Sequence, residues 1–196
     1  GYAIGKAIGS EIPYIAGLGN PHLAELKAFS ASIATFGGTA MFHIHGVTPN
    51  KTRTPKEEIE ITQYDIKNAF AALCDGKNPD FVSLGCPHCS IDEVKKIASL
   101  LSGKSVKLET WITLSRAVKE RADRLGYTST IRKSGAKIAC DTCLAVAPLK
   151  GRFKCLATNS AKGCYYGRGN NNFKTLLGST EECMNAAITG KWEQGE

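Results

Sequence analysis

Stretches with the spacing of helices alternate along this chain with short apolar runs typical of strands. The apolar positions of the predicted helices recur every three or four residues, whereas the runs between them are continuous or alternate in twos. We predict strands at 40–45, 81–84, 106–112, 137–139 and 153–157. We predict helices with apolar positions over 23–33, 66–73, 94–101 and 117–125, and a last helix from 179 to about 190.

Helix-start signals support several of these boundaries. Capping boxes, in which a hydroxyl residue precedes an acidic residue by three positions, stand at Ser90 and at Ser179. Asn20 and Pro21 offer a cap and a first-turn proline for the first helix. A further box at Thr54 leaves two alternatives open, a helix start or a short strand before the helix that contains Ile66.

Strands that alternate with helices of ten or more residues predict a largely parallel sheet. We therefore expect an α/β fold, a single domain over 1–196 with helices on both faces of the sheet. Ligands of such sheets bind where strands end at their carboxyl edge. Thiols, a histidine, an amide, hydroxyls and a lysine follow three of the predicted strands, at 85–90, 140–143 and 158–162.

Composition narrows the classes of protein to consider. The 196 residues have a formal net charge of +7, with the basic residues scattered, which favours an anionic small substrate over nucleic acid. No apolar run approaches the roughly 20 residues of a membrane span, and no signal peptide is visible, so we expect a cytoplasmic protein without a membrane partner. Because the chain starts at Gly1 without a methionine, we expect a piece of a longer polypeptide.

Four of the eight cysteines form two C-x-x-C pairs, Cys86 with Cys89 and Cys140 with Cys143. One interpretation is a zinc-stabilised binding module that uses all four thiolates. A thioredoxin-like redox protein is disfavoured, because the segment after Cys143 does not open a helix. The favoured interpretation is a cluster held by three cysteines, whose remaining iron acts as a Lewis acid.

Four segments in order along the chain resemble the aconitase X family. The resemblance covers most of the chain and is to the carboxyl-terminal half of the large catalytic polypeptide. It implies a three-layer aconitase-like fold and an iron–sulfur hydro-lyase that dehydrates either phosphomevalonate, in the archaeal mevalonate route, or cis-3-hydroxyproline. The net charge favours the phosphorylated substrate. The matching segments are Phe42-His43-Ile44-His45-Gly46-Val47-Thr48-Pro49, Ser83-Leu84-Gly85-Cys86-Pro87-His88-Cys89-Ser90, Cys140-Asp141-Thr142-Cys143 and Thr158-Asn159-Ser160-Ala161-Lys162.

Site residues follow from the same resemblance. Cys86 and Cys143 match the first two ligands of a 4Fe-4S cluster, and the third is either Cys140 or a cysteine from the absent amino-terminal half. The catalytic base is a serine on a separate swivelling domain, expected in a small partner subunit. Residues expected to bind substrate are Asn159, Ser160, Lys162, His88 and His45. The segment 163–169 departs from the family pattern.

Overall fold

A computed structural model describes residues 1–49 and 52–193. The chain forms two compact units, Gly1–Ala71 and Ala72–Glu196. Residues 52–62, between the strand predicted at 40–45 and the helix predicted at 66–73, form no helix or strand. The single domain expected over 1–196 stays a prediction.

The first unit pairs two helices beside a very short parallel sheet. Gly5 of the first helix and Gly37 of the second allow close approach, since a Cβ at Gly5 would lie 2.9 Å from the backbone nitrogen of Gly37. The predicted strand at 40–45 is reduced to two residues. The elements are α1 Tyr2–Ile8, β1 Tyr14–Ile15, α2 Leu23–Gly37, β2 His43–Ile44 and the start of α3 Gln63–Leu73.

The start of α3 corrects the interpretation of Thr54. The helix begins after Thr62, whose backbone and hydroxyl bind the carboxylate of Asp65, and residues around Thr54 have no regular structure. Both sites have a threonine followed three positions later by an acidic residue. Only the second precedes apolar residues at helical spacing, and residues 52–60 are exposed.

The second unit contains a five-stranded sheet in the order β5-β4-β3-β6-β7, in which every pair is parallel. This confirms the predicted α/β fold with a mostly parallel sheet. The elements are β3 Phe81–Cys89, α4 Ile91–Leu101, β4 Glu109–Leu114, α5 Arg116–Arg124, α6 Tyr127–Lys133, β5 Lys137–Cys140, β6 Cys155–Thr158, α7 Ala161–Asn171, β7 Lys174–Leu177 and α8 Thr180–Thr189.

Two apolar clusters cover opposite faces of this sheet. Alternate residues of β3 separate between them, since Val82 and Leu84 belong to one cluster and Phe81 to the other. The first cluster includes apolar residues of α4, α6 and α8, and the second includes Phe173 with Tyr166 of α7 against it. None of the helices in the described ranges is long and apolar enough to cross a membrane.

The hydrophobic pattern did not predict α7 and β7. Gly163, Gly167 and Gly169 make the segment resemble a loop, yet it is helical. A Cβ at Gly167 would lie 2.9 Å from Leu156 Cδ2 of β6, so the glycine permits close packing of helix on sheet. Cys164, expected in a loop, is fully buried in this helix.

Candidate metal centre

The thiol of Cys143 lies near enough to the buried thiol of Cys86 to raise its pKa. β3 runs past the predicted end at Leu84 and continues to Cys89, so Cys86 belongs to the strand rather than to a loop. The peptide bond between Cys86 and Pro87 is cis. Burial raises the pKa of Cys86 to about 11; Cys143 acts in the same direction, whereas Lys162 and Ser160 oppose it. The two cysteines matched by the resemblance therefore act on one another, and their assignment as ligands stays a prediction.

Gly85 and Thr113 hold the strand that leads into Cys86. The Thr113 hydroxyl lies 3.2 Å from the carbonyl oxygen of Leu84 and 2.8 Å from that of Gly85. Gly85 has φ 106°, and a Cβ there would overlap the carbonyl of Thr113. In the sequence, Gly85 before Cys86 could have indicated that another strand approaches here. Nothing in the sequence indicated that Thr113 is the residue that does so.

Ser160 joins the end of β6 to Cys86. Its hydroxyl donates to the carbonyl oxygen of Cys86 and accepts from the backbone nitrogen of Gly163 at 3.0 Å, which makes it the N-cap of α7. The proton of the Ser160 hydroxyl is therefore already donated in a hydrogen bond within the protein. The expected role of Ser160 in substrate binding stays a prediction.

Lys162 lies in the first turn of α7, beside the thiol pair. Its ammonium is close enough to Cys86 to lower the pKa of that thiol, and Nζ is 6.0 Å from the ring centroid of Tyr166. The first turn of a helix also presents partial positive charge. The region around the first turn of α7 is therefore suited to binding an anion.

The other predicted substrate residues have partners elsewhere. Asn159 donates from Nδ2 to the Thr180 hydroxyl at 3.1 Å, and His88 Nε2 is 2.9 Å from the carbonyl oxygen of Thr142. His45 belongs to the first unit, where its Nδ1 is 2.7 Å from the hydroxyl of Tyr14. Each assignment stays a prediction.

Cys140 has a different environment from Cys86. Burial raises its pKa, and the charged groups that act on it are Lys119, Arg116, Asp141 and Asp123, with neither Cys86 nor Cys143 among them. Within residues 1–49 and 52–193, no three side chains of histidine, cysteine, aspartate or glutamate come together as a metal site. The thiols of Cys86 and Cys143 fit part of a three-cysteine site, one that needs a further ligand.

The remaining cysteines belong mainly to the core. Cys89 and Cys183 are buried in the first apolar cluster. Burial raises the pKa of Cys155 to about 11 and that of Cys164 to about 12. Cys74 lies against β7, where its sulfur accepts from the backbone nitrogen of Leu177 at 3.3 Å.

Comparison with known proteins assigns both units to one family. Family models match residues 1–71 as Aconitase X second domain and residues 79–189 as Aconitase X third domain. The fold and the paired thiols define a parallel α/β protein with a candidate metal centre at its strand ends. The chain belongs to the aconitase X family.

Individual relatives agree with this assignment. The phosphomevalonate dehydratase large subunit of Methanosarcina mazei is 40% identical over 195 residues, which cover 97% of this chain and 48% of that protein. A cis-3-hydroxy-L-proline dehydratase of Hypocrea jecorina is 32% identical over 213 residues, 98% of this chain and 35% of that protein. The crystal structure of Thermococcus kodakaraensis aconitase X in its holo-form superimposes with a TM-score of 0.87 at 36% identity, and the match covers 95% of this chain and 50% of that one. The chain thus spans about half the length of these relatives, or less.

Proposed function

We propose that this chain belongs to an iron–sulfur dehydratase that removes water from phosphomevalonate, with cis-3-hydroxyproline as the alternative substrate. The observation that supports it most directly is the proximity of Cys143 and Lys162 to the buried Cys86 thiol, whose backbone carbonyl is held by Ser160 at the start of α7. The 40% identity to a phosphomevalonate dehydratase large subunit favours the first substrate over the second, whose relative is 32% identical. The activity is expected in the cytoplasm, without nucleic-acid or membrane partners.

Cys86 and Cys143 supply two of the three cysteine ligands in this proposal. A bound 4Fe-4S cluster would provide a Lewis acid for the leaving hydroxyl. The third ligand is expected from outside the described residues rather than from Cys140, because within those residues Cys140 does not join Cys86 and Cys143 in a three-residue metal site.

Lys162 is the residue of this chain best placed for the negative group of the substrate. Its ammonium already acts on the Cys86 thiol, so an anion bound near the cluster lies within its reach. Ser160 keeps the backbone of Cys86 and the first turn of α7 together. The two residues therefore have separate tasks, charge pairing and alignment.

The proton acceptor is expected outside this chain. The Methanosarcina mazei relative is named a large subunit, which supports a smaller partner subunit here as well. In our proposal that subunit is the swivelling domain and provides a serine as the base, so the chain by itself binds substrate without turning it over.

Geometry favours this function over a four-thiolate zinc module. Such a module needs Cys89 and Cys140 beside the other two cysteines. Cys89 is instead packed in the apolar cluster, and Cys140 has its own charged neighbours.

Cysteine substitutions in the complete protein, assembled with its partner, test the proposal. We expect Cys86→Ser and Cys143→Ser each to abolish iron binding and dehydration of phosphomevalonate, because each removes one thiolate. Cys74→Ser is the matched control, since the Cys74 thiol hydrogen-bonds to the backbone of Leu177 on β7, and both properties should persist.

Iron content and acid-labile sulfide are measured after anaerobic purification, and both substrates are assayed. Full iron content in Cys143→Ser protein would contradict the ligand assignment. Turnover of cis-3-hydroxyproline alone would establish the alternative substrate. Zinc in place of iron would support the binding module.

A further inference from the structure

The segment that contains Cys143 has no helix or strand, yet residues of α5 and α7 bind it on both sides, through the Asp141 carboxylate and the Leu144 carbonyl. Asp141 accepts from the Arg116 backbone at 3.0 Å and from its guanidinium at 2.9 and 3.0 Å. Asn171, buried in α7, donates to the Leu144 carbonyl at 3.1 Å. These bonds fix the backbone one or two residues away from Cys143.

His88 provides the bond immediately next to Cys143. Its Nε2 is 2.9 Å from the carbonyl oxygen of Thr142. A carbonyl oxygen only accepts hydrogen bonds, so Nε2 must be the protonated nitrogen of this ring. His88 stands two residues after Cys86, and Thr142 directly precedes Cys143. The bond therefore links the two thiol-containing segments within two residues of Cys86 and one residue of Cys143.

We propose that His88 is a positioning residue, which keeps the thiol of Cys143 against that of Cys86 by holding the carbonyl of Thr142. This differs from the substrate-binding role that the sequence implied for it. The inference rests on the proposed function only in taking the two thiols as ligands of one metal centre. Partners that orient metal ligands in this way typically contribute 10- to 100-fold to metal affinity.

Three substitutions separate the hydrogen bond from the rest of the side chain. The amide nitrogen of glutamine reaches about as far as Nε2 of histidine, whereas that of asparagine reaches about as far as Nδ1. His88→Gln therefore preserves a donor for Thr142, and His88→Asn and His88→Ala remove it. All three lack the imidazole ring.

The probe is Cd²⁺ alone, bound to the complete protein after its metal has been removed, and followed by thiolate-to-cadmium charge-transfer absorbance. We expect Cd²⁺ affinity to fall roughly 10- to 100-fold in His88→Ala and His88→Asn and to stay within about twofold of wild type in His88→Gln. Circular dichroism and the midpoint of thermal unfolding show whether each variant is folded. The pH profile of dehydration in His88→Gln, compared with wild type, tests for a proton-transfer role.

Each remaining outcome counts against the proposal in a distinct way. Unchanged Cd²⁺ affinity in all three variants would overturn it, and so would a His88→Gln variant as weak as His88→Ala. Retained Cd²⁺ affinity in His88→Gln with activity lost or its pH profile altered would instead assign His88 to substrate or proton transfer. Cd²⁺ binding that is insensitive to Cys86→Ser and Cys143→Ser would reject the ligand pair itself, and with it both proposals.

Discussion

Replacing Lys162 by methionine tests whether this cation binds the negative group of the substrate. The side chain is half-buried in the first turn of α7, near the Cys86 thiol and 6.0 Å from the Tyr166 ring centroid. Methionine has a similar length without charge. In the complete protein we expect kcat/KM for dehydration to fall, while the fold and the iron content are retained.

The magnitude follows from the partial burial of the ammonium. A hydrogen bond to a charged group contributes about 1.5–3 kcal/mol, and each 1.4 kcal/mol corresponds to a factor of ten. Loss of the contact should lower kcat/KM roughly ten- to a hundredfold. A fully solvated ion pair would contribute only about 0–1 kcal/mol, a change of less than tenfold.

The assay measures kcat and KM for phosphomevalonate, together with iron content, in two further variants. Lys162→Arg keeps the charge and should lose less activity than Lys162→Met. Lys104→Met removes an exposed lysine from the turn after α4 and should match wild type. Unchanged kcat/KM in Lys162→Met protein with unchanged iron content would refute the reasoning and assign Lys162 to the surface.

Two stability predictions concern residues next to the metal centre. Gly85→Ala should lower the free energy of unfolding by about 2–5 kcal/mol, because the new Cβ overlaps the Thr113 carbonyl at a positive φ. Gly103→Ala is the control: Gly103 has φ 68° and open space around it, so the loss should be only about 1–2 kcal/mol. Urea unfolding measures both, and equal losses would show that the overlap is relieved. Thr158→Val should raise the unfolding free energy by about 1–3 kcal/mol, because the buried Thr158 hydroxyl has no hydrogen-bond partner in the described part of the chain; a lower midpoint would mean that the hydroxyl is bonded.

Local sequence was sufficient to predict those helices whose formation depends on their own hydrophobic periodicity and capping residues. The boxes at Ser90 and Ser179 begin α4 and α8, with both reciprocal bonds present, and Gly190 ends α8. It was insufficient where packing decides the conformation. Gly163 and Gly167 of α7 allow the helix to approach β6 closely, and the box at Thr54 fails for lack of an apolar face to bury.

The candidate site, too, was predicted in part from the sequence and in part decided by packing. Sequence alone placed Cys86, the 140–143 segment and Lys162 at the ends of parallel strands, because hydrophobic runs set the strand order along the chain and parallel strands end at one edge. Which thiols meet was decided only by the tertiary structure. Asp141 adopts φ 54°, a conformation unusual outside glycine, and its carboxylate is fixed by Arg116 of α5. The backbone therefore turns between the two cysteines of one C-x-x-C pair, so that Cys143 acts on the Cys86 thiol whereas Cys140 is influenced by charged groups of α5 and by Asp141.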